Sequence, residues 1–396
     1  MIKDKSVVLL ALGQIITWAG LYYVFPASLV RWEQSLGWSK ADLTGAITLA
    51  IFTSAFASPL AGRFIDRGKG PLLMASSALL GGITLAMVSM VTLLWQFYLA
   101  WALIGVCLAG CLYEPCFAIV TRARGAKAKQ AIILITLIAG FAGAISFPSS
   151  YSLAEAFGWR NALRIFACAV IFIGAPLLWL GASSIEQNGN GRTAGQPDQT
   201  HSRHRLLMLP IFWFLGVGFA LLALVHGVAL HHLLPLLFER GVASEAAVIA
   251  ASFIGPMQVA GRLAMMAAEK HVSNNGIAIT CFLVMGCSIL MLIGASTTPA
   301  LLVGFVILFG GGYGVLSIIR PVIARDILGQ QNFGAKSGAL AVLYLAGSAS
   351  APFLGSLIWQ VGGYALVLPS LVVLAAVGLG LYLTANKLSL ASRLSL

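Results

Sequence analysis

Charge is what this sequence has least of. Only 9% of its 396 residues are Asp, Glu, Lys or Arg, while 59% are hydrophobic; a soluble domain carries roughly 25% charged residues. Folded in water, such a chain would expose apolar surface far beyond what soluble monomers show, so lipid is the solvent it is built for. Acids are scarcer than bases, 12 against 24, for a net charge of +12. That excess does not read as nucleic-acid binding, because the bases form no single patch and sit in short loops between apolar runs. Also missing are a G-x-x-x-x-G-K-[ST] loop for ATP, a nucleophile set beside a base, and His/Cys clusters at metal-ligand spacing. These absences argue against an ATP-driven pump and against an enzyme. No cofactor and no metal are expected, and a proton gradient is the expected energy source. The six cysteines, Cys107, Cys111, Cys116, Cys168, Cys281 and Cys287, all lie inside apolar runs without a C-x-x-C pair, and read as small packing residues.

Long apolar runs are what the sequence has instead. A bilayer crossing needs about 20 apolar residues. Such runs fall at 7–30, 44–61, 71–91, 95–120, 131–152, 163–182, 209–233, 245–267, 275–294, 299–323, 337–358 and 365–385. Lys3 and Lys5 precede the first run, which continues to Val30; it is too long for a signal-peptide core and reads as a span. Twelve spans place both termini on one side. Lys and Arg divide 18 to that side and 5 to the other, with Arg320 inside a span. The positive-inside rule then puts both termini in the cytoplasm, and a multi-pass protein of a cell membrane, a bacterial inner membrane for preference, is expected. Residues 183–208 are polar, Gly-rich and aperiodic, the composition of a flexible linker. They separate a six-span bundle, 1–182, from a second, 209–396.

The halves repeat. Gly62-Arg63 answers Gly261-Arg262, Glu114-Pro115 answers Arg320-Pro321, Phe147-Pro148 answers Ala351-Pro352, and Gly158-Trp159 answers Gly363-Tyr364, at offsets of 199, 206, 204 and 205. Four features at nearly one offset imply an all-α membrane protein of two pseudo-symmetric six-helix bundles related by an axis along the membrane normal. A substrate site is expected between them near the midplane.

The loop after the second span reads Gly62-Arg63-Phe64-Ile65-Asp66-Arg67-Gly68-Lys69-Gly70. It resembles the G-x-x-x-D-R-x-G loop of the major facilitator superfamily, and with the six-plus-six repeat the resemblance covers essentially the whole chain. It implies a secondary transporter working by alternating access, a monomer whose partners are a small-molecule substrate and the lipid bilayer. It also implies that Gly62, Arg63, Asp66 and Arg67, with Arg262 as the repeat equivalent, latch the cytoplasmic face shut. Plain positive-inside anchoring is the alternative, though Asp66 is an acid where topology asks only for bases. The segment Gly37-Trp38-Ser39-Lys40-Ala41-Asp42-Leu43 resembles the monocarboxylate and oxalate/formate branch, which implies small organic anions. The chain departs from that branch in lacking an Asp and Arg pair in the eighth span and a lysine in the eleventh.

Two charges lie within spans, Glu114 and Arg320. An ionisable group at a helix centre costs ~2.5–3.5 kcal/mol on insertion scales and is a functional candidate by default. Three readings stand. The pair closes a cytoplasmic gate; or Arg320 binds an anion while Glu114 accepts a proton; or both snorkel to the interface. His226 in the seventh span is a proton or substrate candidate or a packing residue, while His231 and His232 are expected at the outer interface. Gln14, Trp18 and Tyr22 share a helix face, and by family analogy Tyr113, Tyr313, Ser317 and Tyr344 join them along the path; an aromatic belt is the alternative for the rings. The expected function is proton-coupled symport of a small organic anion such as a monocarboxylate, the alternative a proton-coupled drug or metabolite exporter.

Overall fold

Each apolar run becomes a helix in the computed structural model, which describes residues 4–125, 128–187, 209–269, 271–329 and 333–394. Eleven helical stretches among the described residues are long and apolar enough to cross a membrane. In order they are α1 (Lys5–Leu36), α2 (Lys40–Asp66), α3 (Gly70–Val88), α4 (Leu94–Arg124), α5 (Gln130–Phe157), α6 (Trp159–Gln187), α7 (Pro210–Glu239), α8 (Ser244–Ala268), α9 (Asn274–Gly294) and α10 (Ala300–Leu328), followed by one long stretch, Gly338–Ser389. The last bends where Gly362 and Gly363 leave helical geometry, Gly363 with φ +62°. It therefore divides into α11 (333–361) and α12 (364–394), giving twelve crossings. Large apolar side chains on the outside, Phe56, Phe172 and Val361 at 80%, 73% and 81% exposure, suit a surface solvated by lipid.

The helices outrun the hydropathy signal. α1 continues from Val30 to Leu36 through Arg31 and Glu33, and α4 passes Val120 to end at Arg124. Hydrophobicity stops where charge begins, but the backbone stays helical into the interface. Glu114 and Arg320 thus lie ten and eight residues from their helix ends, deeper than the apolar runs alone suggest.

Contacts divide the chain into two compact units, Met1–Gly195 with Val242–Gly255, and Gln196–Gly241 with Pro256–Leu396. The expected linker, 183–208, lies outside the described residues from 188 onward.

In the first unit, α1 and α6 pack along a seam of small residues. A Cβ on Gly20 would meet Val170 Cγ2 at 2.6 Å, and one on Gly181 would meet the Leu10 backbone nitrogen at 2.8 Å. Both helices carry a π-helical turn at this seam, Ala19–Tyr23 in α1 and Val170–Gly174 in α6. α2 ends in a Schellman motif. Gly68 (φ +73°) donates to Ile65 O and Lys69 donates to Phe64 O at 2.9 and 3.0 Å. The left-handed position is why glycine stands there.

In the second unit, His232 ties α7 to α11 and α12. Its Nε2 lies 2.9 Å from Pro352 O and its Nδ1 3.1 Å from Tyr364 Oη. Backbone oxygen can only accept, so Nε2 carries the proton and the tyrosine donates to Nδ1. His231 and His232, expected at the outer interface, are 1% and 2% exposed; the structure seats them inside the bundle because Pro352, Tyr364 and the Gly227 carbonyl supply polar partners there.

Candidate functional site

The candidate residues gather into one cluster in each unit. In the first, α4 breaks at Leu112, whose ψ of −152° is extended, and resumes at Tyr113. Pro115 explains the break. It has no N–H to offer Cys111 O, four residues back. Gln14 fills the gap, its Nε2 donating to Cys111 O at 2.8 Å and more weakly to Leu112 O at 3.4 Å, with the side chain fully buried. The restart places Glu114 in the first turn of a new helical segment, Tyr113–Arg124. There its carboxylate meets the positive end of the peptide dipoles, and the side chain is exposed on the unit.

Trp18, one turn beyond Gln14, meets Tyr22 edge-on at 5.1 Å and Tyr113 at 4.8 Å. Tyr113 in turn stacks on Phe117 at 4.9 Å with 14° between the planes. The π turn adds one residue per turn, which brings Tyr23 within 6.1 Å of the same indole. Trp18 Nε1 is buried and finds no hydrogen-bond acceptor among the described residues.

In the second unit, His226, Tyr313, Ser317, Arg320 and Tyr344 converge. The His226 ring is sandwiched between Tyr313, 3.3 Å away, and Phe309, 4.9 Å away. Tyr344 Oη donates to Tyr313 Oη at 3.5 Å, and the Arg320 guanidinium sits 3.8 Å over the Tyr344 ring. Arg320 Nη1 is buried without a hydrogen-bond partner, and the residue walls a cavity of about 40 Å³ with Phe219, Pro321 and Leu340. That is room for a group the size of a water molecule. A larger groove, about 280 Å³ between α8, α9 and α10, has mostly apolar walls such as Met265, Ile277 and Val315 and offers a polar solute few partners.

Arg262 joins this second cluster. Its repeat equivalent Arg63 is exposed, whereas Arg262 is 5% exposed, with Nε donating to Gly314 O at 3.3 Å and Nη2 to Ser317 Oγ at 3.5 Å. α8 and α10 approach closely here, at Gly261 against Gly311 and at Gly314 against Gln258, which leaves the arginine inside the packed seam. Gln258, one turn earlier on α8, is 4% exposed with Nε2 unpartnered. Sequence reading passed over it, although an amide inside an apolar run was a visible signal.

At the end of α2, Asp66 is the last helical residue and exposed. Its charge sits at the negative end of its own helix, not at an N-terminus of its own chain segment, which is an unfavourable place for an acid. Gly62, Arg63 and Arg67 are not sealed in the core either. Arg122 of α4 donates to Ile65 O and lies close enough to act electrostatically on Glu186 of α6. Glu186 Oε1 is buried against Gly70 at the start of α3. Glu186 lies in the polar stretch 183–208, whose linker-like composition hides its place beside the α3 N-terminus.

The description Major Facilitator Superfamily matches residues 10–352. The chain is 22% identical over 331 residues to "MFS transporter asaE" of Aspergillus flavus, covering 82% of this chain and 73% of that one. Among solved structures, it resembles a bacterial homologue of the human lysosomal transporter Spinster in an inward-facing, unoccupied conformation, with TM-score 0.73, 17% identity and 99% and 98% of the two chains covered. It also resembles a mutant of the nucleoside transporter NupG, with TM-score 0.71, 13% identity and 96% and 98% covered. With eleven long apolar helical stretches among its described residues, the last bent into two, and a family match across most of its length, the chain belongs to the Major Facilitator Superfamily of membrane transporters.

Proposed function

We propose that this transporter is a proton-coupled symporter that moves a small organic anion by alternating access, with Arg320 binding the anionic group and Glu114 exchanging the proton. The observation that carries the reading is Arg320. Its charge is permanent, and holding it within a span costs ~2.5–3.5 kcal/mol on insertion scales. The Tyr344 face returns about 0.5–2 kcal/mol of that. A buried Nη1 donor remains unengaged beside a small cavity, and an anion offsets the remainder. Tyr313, Ser317 and His226 supply neutral polar groups around the same cation. On this reading the exposed acid Asp66, with Gly62, Arg63 and Arg67, forms a latch at the cytoplasmic face, both termini are cytoplasmic, and the carrier works as a monomer in a bacterial inner membrane.

Thermal stability of the purified protein tests the proposal, because a ligand that favours the folded state raises the melting temperature by mass action. Lactate, pyruvate, oxalate, phosphate and tetraphenylphosphonium are compared in acidic and neutral buffer. An organic anion that stabilises the wild type and not Arg320→Ala supports the reading. The exporter reading draws on one feature, the exposed Glu114 carboxylate beside the stacked Tyr113 and Phe117 rings, a combination suited to a lipophilic cation. Stabilisation by tetraphenylphosphonium alone, lost in Glu114→Gln, would put that reading first.

A further inference from the structure

The second unit carries two arginines inside its helices, not one. α8 continues past the apolar run to Ala268, which places Arg262 within the span as Arg320 is within α10. The acids of this half of the sequence are Glu239, Glu245, Glu269 and Asp326, and all of them fall at helix ends. Glu239 closes α7, Glu245 is second in α8, Glu269 follows α8, and Asp326 lies in the last turn of α10. Two permanent cations therefore stand in the interior of adjacent helices, where like charges repel more strongly than in water and each is costly on its own account.

The two meet at Ser317. Tyr313, Ser317, Arg320 and Ala324 recur on one face of α10, and Ser317 is the exposed member of that face. Its hydroxyl donates to Gly314 O at 2.8 Å and accepts from Arg262 Nη2, across the α8 seam, at 3.5 Å. Arg320 stands one turn further along the same face, about 5–6 Å between Cβ atoms. A group that reaches Ser317 thus has a guanidinium on either side. Two donors nearby are buried without partners among the described residues, Arg320 Nη1 and Gln258 Nε2. Gln258 precedes Arg262 by four residues, on the same face of α8, and its backbone lies against Gly314. A buried donor left unpaired costs free energy that an acceptor recovers.

We infer that the substrate is a short dicarboxylate, one carboxylate held by Arg320 and the other by Arg262, with Ser317 between them. The inference rests on the reading of Arg320 as the residue that binds the anion, and it replaces the monocarboxylate with a dianion. It also takes Arg262 out of the cytoplasmic latch and into the binding site. Every residue it uses belongs to the second unit. A monocarboxylate neutralises one of the two guanidiniums and leaves the other charge standing.

Ligand-induced thermal shift of the purified protein at neutral pH tests this with five probes: succinate, glutarate, monomethyl succinate, butyrate and succinamide. Monomethyl succinate keeps the succinate skeleton and loses one charge. Succinate or glutarate is expected to half-saturate the shift at about a tenfold lower concentration than the monoester, the ratio that one hydrogen bond to a charged group confers. Arg262→Gln is expected to erase that ratio, leaving diacid and monoester alike, and Arg262→Lys, which keeps the charge, to restore part of it. Arg320→Gln is expected to abolish the response to the monoester. The ratio in the wild type needs no variant, so it decides the matter even where Arg262→Gln does not fold. Monomethyl succinate and butyrate acting as strongly as succinate, in an Arg320-dependent manner, overturn the second charge and leave the anion reading standing. A ratio that survives in folded Arg262→Gln overturns the role of Arg262. Neutral succinamide matching succinate, or no response to any of the five, overturns both readings.

Discussion

A single hydrogen bond explains much of how the first unit tolerates a broken helix in lipid. Pro115 leaves Cys111 O without its helical donor, and in hydrocarbon no water replaces it. Gln14, on another helix 97 residues away, donates to that oxygen at 2.8 Å. The polar stripe Gln14, Trp18 and Tyr22 is therefore not uniform: the Trp18 indole nitrogen has no acceptor among the described residues, while the Gln14 amide nitrogen is engaged by backbone. Replacing Gln14 with leucine leaves a buried carbonyl unsatisfied, at a cost of about 1–3 kcal/mol. The expected result is a lower melting temperature with substrate KM unchanged. A raised KM at unchanged melting temperature would instead assign Gln14 to the solute. None of this was legible in the sequence, which displays an amide inside an apolar run but not the distant proline-bearing helix that needs it. His232 teaches the same lesson. Its partners, Pro352 O and Tyr364, are 120 and 132 residues away, so adjacency to a helix end suggested an interface that its packing does not provide.

At the scale of elements, motifs separate into those that geometry explains and those it leaves over. The segment Gly37-Trp38-Ser39-Lys40-Ala41-Asp42 is explained. Gly37 takes φ +71° to end α1, and Ser39 and Asp42 form a capping box that opens α2, with Asp42 N donating to Ser39 Oγ at 3.1 Å and Ser39 N donating to Asp42 Oδ2 at 3.2 Å. Trp38 packs on Phe97 at 5.5 Å. Gly37, Trp38, Ser39 and Asp42 are thus accounted for by a tight turn between two helices, so those four residues do not by themselves point to a substrate. Ser39→Ala is expected to lower stability by about 1 kcal/mol, read as a fall in melting temperature, while the rank order of competing substrates stays the same. A changed rank order would return the segment to the binding machinery. The α2 loop divides differently. Gly68 is required by its left-handed backbone, and Arg122 has a carbonyl to hold, but Asp66 sits at the negative end of its own helix. Local structure disfavours it, so the turn itself gives no reason for an acid at this position.

For the whole molecule, the twelve crossings were legible because lipid imposes one strong rule, about 20 apolar residues for each span. The repeat added the equivalence of α4 with α10, and both prove to carry their charge next to a proline well inside the helix. The repeat was silent on environment, so Arg63 and Arg262 share a position along their helices and little else. The same asymmetry separates the two intramembrane charges. Arg320 is stacked on a ring within its unit, a fixed cation suited to holding an anion. Glu114 is exposed at the start of a half-helix, and the proposed reading gives it the proton. Under proton-coupled symport as proposed, net accumulation requires a proton to travel with the substrate, whereas exchange of substrate for substrate does not. Glu114→Gln fixes the side chain in a neutral form. In proteoliposomes, the variant is expected to lose accumulation driven by an inward proton gradient and to retain counterflow exchange, while Arg320→Ala loses both. Accumulation by Glu114→Gln that still follows the gradient would remove the proton from Glu114 and move the search to His226, the other titratable side chain the structure places beside Tyr313.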